Sequence, residues 1–404
     1  MATVQETLTE TPRPTWFFRP GYQAPLPQGM TLSRPSAGRT LDPTSGLYTS
    51  VPSGEKRVFG PQQGLLVESD SRTNRVRYSS RINTSRWSPS SIDTETARDS
   101  ILDNAIAHEL KGDGTSADAR VTQNSGSLRG GNETAYVLVE KASSDLIALG
   151  VKNSTDNSWL SLVEYDWSTG GTNVVAGSVL ASNTKILRSR GPNGAELALF
   201  ALKVSSSNSS NDSGDSAKLT LYPDRNANGN SAIFHHAQFE VNRDRSSPIS
   251  TGSFEVTREG DNVTVDLGDA FNSNGGTLLV NFTLRSFFIH NTMVLAGLPG
   301  GGKDYLNIKV GTFLSTLESY DGNSTVSVAG KIFSFQKNKT AISVTPNERR
   351  LAANGNVQVG SHNGSLLTNN TIKVGRVNRL LAVINRIDYI PKALSEFTLE
   401  TLTS

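Results

Sequence analysis

The chain has 404 residues with 39 basic and 37 acidic side chains, and it contains no cysteine. The near-neutral charge gives no indication of a nucleic-acid or membrane-surface partner, and the missing cysteine excludes disulfides and thiolate chemistry. The first residues lack the basic and apolar regions of a secretory signal, and no window of about 18 apolar residues predicts a membrane span. We therefore expect assembly in a cytoplasm, no nucleic-acid partner and no membrane insertion.

Residues 1–35 are rich in proline, which disfavours both helices and sheet ladders and predicts an extended arm. The arm carries an aromatic group that cannot bury itself locally: Trp16, Phe17, Phe18 and Tyr22. These side chains dock either on the chain's own first folded domain or on a neighbouring subunit. If the arm is an anchor to a neighbour, its removal should leave the rest of the chain folded.

Residues 36–90 are predicted to form a connector of short hairpins. Two segments, Asp42–Gly46 and Val51–Gly54, combine proline with glycine in the manner of tight turns. Leu65, Leu66 and Val67 then make a compact apolar strand.

Residues 91–250 contain apolar runs of strand length separated by polar loops, among them 135–140, 146–151, 159–167, 196–204, 218–222 and 232–241. Several such runs in succession predict two packed antiparallel sheets, as in a jelly roll.

Residues 251–404 show a second series of runs: 277–284, 305–310, 324–328, 341–345, 356–359, 371–375 and 380–389. Asn354-Gly355 predicts a hairpin turn, and Ser395 with Glu396 predicts the start of a helix. The fold class is therefore all-β, with two antiparallel β-sandwich domains of jelly-roll and lectin-like build after an extended N-terminal arm.

His235 and His236 are the sole adjacent histidine pair in the sequence. Adjacent residues on a regular strand point to opposite faces, so the two rings cannot chelate one metal ion. We expect one buried and one exposed histidine.

Carboxylates on strands are the remaining candidates for chemistry. Glu164, Asp166 and Glu240 are expected to be surface residues, although glycoside hydrolysis needs only two carboxylates at a suitable separation. A structural calcium ion bound by Asp113, Asp118 or Glu240 is the alternative use of these groups. No catalytic residue, cofactor-binding residue or metal ligand is assigned.

Three aromatic residues, Trp159, Tyr165 and Trp167, are candidates for glycan contact, because exposed rings stack on the apolar faces of sugars. Their even spacing places them on one face of an unbroken strand, as either a core stripe or a binding platform. Trp167, beside the turn at residues 168–171, is expected to be the most exposed.

A family resemblance runs through the connector. Gly64–Glu68 followed by Thr73-Asn74, Tyr78-Ser79 and Trp87 resembles the connector of bacteriophage fibre, spike and tail-associated proteins, which leads into a carbohydrate-binding-module-like jelly roll. Arg75 stands where that pattern has an apolar residue. Residues 237–240, 247–251 and 256–258 resemble the exit of the same jelly roll. The resemblance implies that Glu68, Thr73 and Asn74 are hydrogen-bonding fasteners of the junction.

The C-terminal strand at 380–389, with the segment 391–402 behind it, resembles the closing strand and short helix of concanavalin-A-like, laminin-G-like lectin domains. The segments are therefore an arm (1–35), a connector (36–90), a jelly roll (91–250) and a lectin-like sandwich (251–404).

These resemblances imply a non-enzymatic virion structural protein of a tailed phage: a tail fibre, spike or tail-associated adhesin exposed on the particle surface. Residues 1–35 would contact other virion proteins, the subunit would form a homo-oligomer such as a trimer, and the sandwiches would serve host attachment by binding surface polysaccharide. The alternatives are a head or tail decoration protein that binds no sugar and, less favoured, a glycan-degrading depolymerase.

Overall fold

The computed structural model describes residues 14, 16–19, 25–42, 44–60, 64–128, 131–205, 215–241, 245–285, 293–297, 305–310, 315–320, 324–329, 332–333, 335–362, 370–375 and 380–404. Antiparallel strands dominate these ranges, which confirms the all-β class with sandwich sheets. No helix in the described ranges is long and apolar enough to cross a membrane.

The arm and connector contribute short strands: β1 (Trp16–Phe18), β2 (Met30–Ser33), β3 (Gly38–Leu41), β4 (Tyr48–Val51), β5 (Val58–Phe59), β6 (Gly64–Glu68) and β7 (Arg72–Asn74).

The middle of the chain contributes longer strands: β8 (Ser88–Ser90), β9 (Ile92–Asp99), β10 (Ile106–Gly112), β11 (Arg120–Ser127), β12 (Asn132–Lys141), β13 (Leu146–Asn153), β14 (Trp159–Asp166), β15 (Gly171–Gly177), β16 (Ala181–Arg188), β17 (Leu197–Ser205), β18 (Ser216–Tyr222) and β19 (Ser231–Val241).

The C-terminal part contributes β20 (Val256–Arg258), β21 (Asn262–Asp266), a 3₁₀ turn (Gly268–Ala270), β22 (Gly276–Leu284), β23 (Met293–Gly297), β24 (Tyr305–Val310), β25 (Ser315–Tyr320), β26 (Thr325–Val328), β27 (Lys337–Val344), β28 (Glu348–Ala353), β29 (Asn356–Ser361), β30 (Thr371–Val374), β31 (Leu381–Ile390) and helix α1 (Glu396–Thr403).

The strands of the middle segment form a jelly roll of two facing sheets. The first, named here the junction sheet, has the order β16-β17-β12-β19-β10-β9, and the second, the open sheet, has the order β15-β14-β13-β18-β11-β8. Alternate residues of both sheets point inward and bury aliphatic and aromatic side chains such as Val137, Leu149, Phe200 and Leu219. The alternation of apolar and polar residues along these strands predicts this core.

The C-terminal sandwich is assembled from both ends of the chain. One sheet has the order β29-β28-β27-β22-β31-β6-β5, with β1 beside β31, and the other has the order β2-β21-β30-β23-β24-β25-β26. Phe18 and Met30 are buried in its core with residues such as Val280 and Ile384. Strands of the arm and connector therefore complete this sandwich.

The position of the arm differs from both expected positions. Trp16–Phe18 pairs with Ile387–Tyr389, and Met30–Ser33 pairs with Asn262–Val265, both in the C-terminal sandwich of the same chain. Phe18 is buried, whereas Phe17 is 54% exposed. Tyr22 lies outside the described residues. The expectation that the arm is separable from the folded part is therefore wrong for residues 16–18 and 30–33.

The local predictions at the C-terminal end are confirmed. Asn354 and Gly355 adopt positive φ angles of 44° and 81° in the turn between β28 and β29, the conformation that a two-residue hairpin requires. Ser395 caps helix α1 because its side chain accepts a hydrogen bond from the Thr398 amide, and Glu396 lies in the first turn.

Candidate functional site

Five buried charged residues and one buried serine join the two sandwiches at a site named here the junction cluster: Arg34, Arg57, Glu68, Ser247, Arg258 and Asp261. Arg57 donates hydrogen bonds to Glu68 and Asp261, and all three side chains are almost fully buried. Glu68 also accepts hydrogen bonds from the amide and the hydroxyl of Ser247, each at 2.6 Å. The cluster therefore ties the connector to the exit of the jelly roll and to the start of β21.

Opposite charges set the ionisation of this cluster. Burial alone raises the pKa of Glu68, but Arg258, Arg57 and the Ser247 hydrogen bond outweigh it and hold that pKa well below its usual value. Burial alone lowers the pKa of Arg57, but Asp261 and Glu68 outweigh it and raise that pKa. The pair is therefore charged at neutral pH and has a structural role.

The other two proposed fasteners make contacts on the same side of the jelly roll. The Thr73 hydroxyl lies 2.7 Å from the Thr257 hydroxyl, between the paired strands β7 and β20. The buried Asn74 amide donates to the Ile249 carbonyl at 2.8 Å and accepts from the Phe239 amide at 3.2 Å. The entry and exit of the jelly roll are therefore held side by side.

Arg75, the departure from the phage connector pattern, lies at the end of the jelly-roll core. Its guanidinium forms a 2.8 Å ion pair with buried Glu133 and lies 4.6 Å from the ring centre of Phe239. A buried cation with these partners replaces the apolar residue of the pattern.

His235 and His236 are both fully buried, which corrects the expectation of one buried and one exposed ring. The pairing of β19 with β12 shifts at this point, because Phe234 faces Val139 and His236 faces Leu138, so that His235 is the extra residue of a bulge. Phe234 and Ala237 both point into the core. The two rings therefore share the outer face of the junction sheet.

Each ring has partners consistent with a neutral imidazole. His235 Nε2 lies 3.2 Å from Glu140, and its Nδ1 accepts a hydrogen bond from the Ile101 amide. His236 Nε2 lies 2.9 Å from the Gln238 side-chain oxygen, and its Nδ1 lies 3.0 Å from the Ser80 hydroxyl. Burial lowers the pKa of both rings, to about 3 for His236.

Two of the three aromatic candidates lie in the jelly-roll core. Tyr165 is 2% exposed and Trp167 is 7% exposed, so the expectation that Trp167 is the most exposed of the three is wrong. Trp159 lies on the opposite face, because Leu160 is an extra residue where β14 pairs with β13. The broken strand thus separates Trp159 from the core stripe.

Trp159 is the centre of an aromatic surface on the outside of the open sheet. This outer aromatic face is defined by Gly150, Lys152, Trp159, Glu164, Lys218, Tyr222 and Arg225. The indole packs over Gly150, where an added Cβ would lie 2.5 Å from the ring. Its centre lies 6.4 Å from that of Tyr222. Trp159 remains partly exposed, whereas Tyr222 is buried beneath its neighbours.

Charged side chains surround the rings on this face. Lys152 Nζ lies 4.3 Å from the centre of the Trp159 ring, and Arg225 lies 4.8 Å from that of Tyr222. Arg225 forms a 3.0 Å ion pair with Glu164. A partly exposed indole among polar groups offers a stacking surface with hydrogen-bonding neighbours, the arrangement that sugar rings require.

The other carboxylate candidates are separated by the fold. Glu240 is fully buried on the junction sheet, where it accepts hydrogen bonds from Ser246, which corrects the expectation that it is a surface residue. Glu164 and Asp166 lie on the open sheet. Asp166 accepts hydrogen bonds from the Ser168 amide and hydroxyl in its own turn. Asp113 accepts a hydrogen bond from the Thr115 backbone amide, and Asp118 forms an ion pair with Arg120. Within the described ranges, no group of three or more His, Asp or Glu residues is arranged to hold a metal ion.

Sequence reasoning missed Gly150, Lys152, Lys218 and Tyr222 as members of a surface site. Alternation with the core residues Val151, Leu219 and Leu221 does place Lys152, Lys218 and Tyr222 on one outer face. The bulge at Leu160, which brings Trp159 to them, has no comparable signal in the sequence.

Comparisons with known proteins give limited similarity. No protein-family model matches the chain, and no curated protein matches it. A receptor-binding domain of botulinum neurotoxin mosaic serotype C/D aligns at 13% identity and TM-score 0.28, over 35% of this chain and 39% of that one. The chain thus spans about two fifths of that domain.

Two shorter structures also align. Domain 4 of an extracellular arabinanase from Geobacillus stearothermophilus, in complex with arabinotriose, has 15% identity and TM-score 0.27 over 36% of this chain and 73% of that one. Sheep galectin-11, in complex with glycerol, has 16% identity and TM-score 0.23 over 29% of this chain and 90% of that one. Scores this far below 0.5 do not define a common fold.

Proposed function

We propose that this chain is a non-enzymatic attachment protein that binds surface glycans through the outer aromatic face of its jelly roll. The observation that carries the proposal is the partly exposed Trp159 ring, which lies over Gly150 and packs with Leu162 and Tyr222. Charged side chains, among them Lys152 and Glu164, lie around this aromatic group. An indole in this position stacks on the apolar side of a pyranose ring, and Lys152 and Glu164 supply partners for its hydroxyl groups.

The setting we propose is the surface of a tailed phage particle, as a fibre, spike or tail-associated adhesin. The resemblance of the connector between Gly64 and Trp87 to those proteins supports this setting. Because parts of the arm complete the C-terminal sandwich, contacts with other virion proteins are assigned to the remainder of residues 1–35 and to the exposed ring of Phe17.

A glycan array tests the function. The Trp159→Ala variant should lose most of the wild-type signal, because the substitution removes the stacking surface without shortening any side chain of the jelly-roll core. Phe254→Ala is the matched control, since Phe254 is 77% exposed and lies in the segment between Ile249 and β20. Absence of wild-type binding to every glycan at high protein concentration would refute the proposal. Release of reducing ends from any bound polysaccharide would show that the protein is an enzyme.

A decoration protein that binds no sugar is the second candidate. Exposed apolar side chains on the edge strands of the jelly roll support it: Val174 and Val175 on β15, Ile186 on β16 and Leu180 just before β16. Apolar edges of this kind favour contact with another subunit. Sedimentation of the wild type and of a Val174→Asp variant tests it: an oligomer that the variant disrupts, together with a negative glycan array, would favour decoration.

A further inference from the structure

The outer aromatic face carries positive charge that the described part of the chain does not neutralise. Lys152 and Lys218 are directly opposite each other on the paired strands β13 and β18. Like charges at opposed positions on one sheet face repel each other. Among the described residues, neither lysine lies within 4 Å of a carboxylate, although several other surface cations of the jelly roll do.

The neighbouring arginines do not share this property. Arg225 is paired with Glu164 at 3.0 Å, and Arg120 is paired with Asp118. The unneutralised charge is therefore concentrated at the two lysines, and Lys152 brings it to 4.3 Å from the centre of the Trp159 ring. Burial lowers the pKa of Lys152, and the like charges of Arg120 and Lys218 add a smaller contribution in the same direction.

An anion bound between the two lysines would relieve their repulsion. Such a group would also lie next to the indole, so a ligand that combines a ring with a negative charge meets both features. Lysine is a flexible point charge that pairs with carboxylates without a fixed geometry, and partial burial strengthens the pairing.

We propose that the ligand of the outer aromatic face is an acidic saccharide, whose carboxylate binds Lys152 and Lys218 while its ring stacks on Trp159. This inference rests on the proposed glycan-binding function and deepens it by naming the chemical class. Binding should weaken as salt is raised, since part of the attraction is between partly exposed charges.

The test uses an array of bacterial surface polysaccharides in which each uronic-acid-containing member is printed beside its carboxyl-reduced form. The wild type should bind an acidic member at least tenfold more tightly than the reduced form of the same polymer. The double variant Lys152→Gln, Lys218→Gln should bind the two forms equally, and Trp159→Ala should bind neither. Lys111→Gln is the control, because Lys111 lies on the other sheet near Asp93.

The outcomes separate the two proposals. Equal wild-type binding of the acidic and reduced forms would overturn the acidic-ligand inference and leave the glycan-binding function standing. Absence of binding to both forms of every polymer would overturn the function and the inference together. Without ligand, the double variant should unfold at the same denaturant concentration as the wild type or a higher one. A lower midpoint would identify the lysines as structural residues and would also contradict the inference.

Discussion

The two outer faces of the jelly roll differ in what they contact. The outer face of the junction sheet is covered: Tyr136 and Leu138 pack with Tyr48, Leu66 and Val383 of the connector and the C-terminal sandwich. The outer face of the open sheet presents the partly exposed Trp159 and the two lysines.

The electrostatics of the two faces differ accordingly. On the junction side, charges are paired and histidines are neutral, as burial demands. On the open side, two cations face each other without a carboxylate partner in the described chain. One side is therefore arranged for stability, whereas the other carries local repulsion, which is typical of a surface that binds a ligand.

The largest expected effect comes from removing the arm strands that complete the C-terminal sandwich, since strands of this sandwich cover the junction side. Deleting residues 1–35 removes β1, β2 and Arg34, and with them Phe18 and Met30 from the core of the C-terminal sandwich. Loss of a buried phenylalanine side chain alone costs about 3–5 kcal/mol. We expect the C-terminal sandwich of the truncated protein to unfold and to bind a hydrophobic dye such as ANS.

Two adjacent residues give a matched comparison for this effect. Phe18→Ala should lower the free energy of unfolding by about 3–5 kcal/mol in denaturant titrations, and Phe17→Ala should change it by less than about 1 kcal/mol. A similar loss of unfolding free energy in both variants would show that Phe18 is not packed in the core of the C-terminal sandwich.

Breaking the junction cluster should have an effect of the same order. Arg57→Met removes a positive charge that pairs with the buried carboxylates of Glu68 and Asp261. Removing one partner of a buried ion pair costs about 3–5 kcal/mol of stability. The control on the open side is Arg225→Met, whose ion pair with Glu164 is partly exposed and is expected to contribute about 1 kcal/mol or less. Denaturant titrations measure the free energy of unfolding of both variants. Equal losses would show that the ion pairs of the two faces contribute equally to stability.

Acid should destabilise the junction side through its histidines. Between pH 6.5 and the folded pKa of about 3, His236 is protonated in the unfolded chain but not in the folded one. The unfolded state then binds more protons, so stability falls as the pH is lowered, by up to about 1.4 kcal/mol per pH unit for one histidine. Burial raises the pKa of Glu240, so this group binds protons more readily in the folded chain and adds stability as the pH is lowered.

Comparison with His236→Gln isolates the contribution of that histidine from that of Glu240. Denaturant titrations between pH 6.5 and 5 should give a shallower loss of stability with acid for the variant than for the wild type. Parallel curves would mean that His236 already takes up a proton in the folded protein.

Gly150→Ala should change stability less than the core and junction-cluster variants do, but it should change binding strongly. The added Cβ meets the Trp159 ring at 2.5 Å, so the indole must move away from its position on the sheet. We expect a loss of about 1–3 kcal/mol in stability, as for other overpacked sites. Glycan binding should fall nearly as far as in Trp159→Ala, measured on the same array; unchanged binding would show that the position of the indole is not needed.

The fold class and many strand positions could be predicted because alternation is a local signal. Runs at 135–140 and 146–151 became β12 and β13, and the turn at Asn354-Gly355 and the cap at Ser395 are set by a few neighbouring residues. The partner of a strand is not local. Nothing in Gly64–Glu68 indicates that it pairs with β31 of the C-terminal sandwich.

The candidate site was harder to predict because single-residue bulges reverse the faces of a strand. The extra residue Leu160 moves Trp159 away from Tyr165 and Trp167, and the extra residue His235 places both histidines on one face. The position of a bulge depends on packing across the sheet, so period-two reasoning assigned the correct strands but some wrong faces.

The pairing of β6 with β31 also sets an order of events during synthesis. Ser69 and Leu380, which are hydrogen-bonded at the start of this pairing, are 311 positions apart. At about 5–20 residues per second, a ribosome takes roughly 15–60 s to make the intervening chain. The strands of the jelly roll lie between β6 and β31 in the sequence, so this domain can fold while β6 still lacks its partner β31. Leu65 and Val67, which pack in the core of the C-terminal sandwich, therefore lack their partners on β31 throughout that interval.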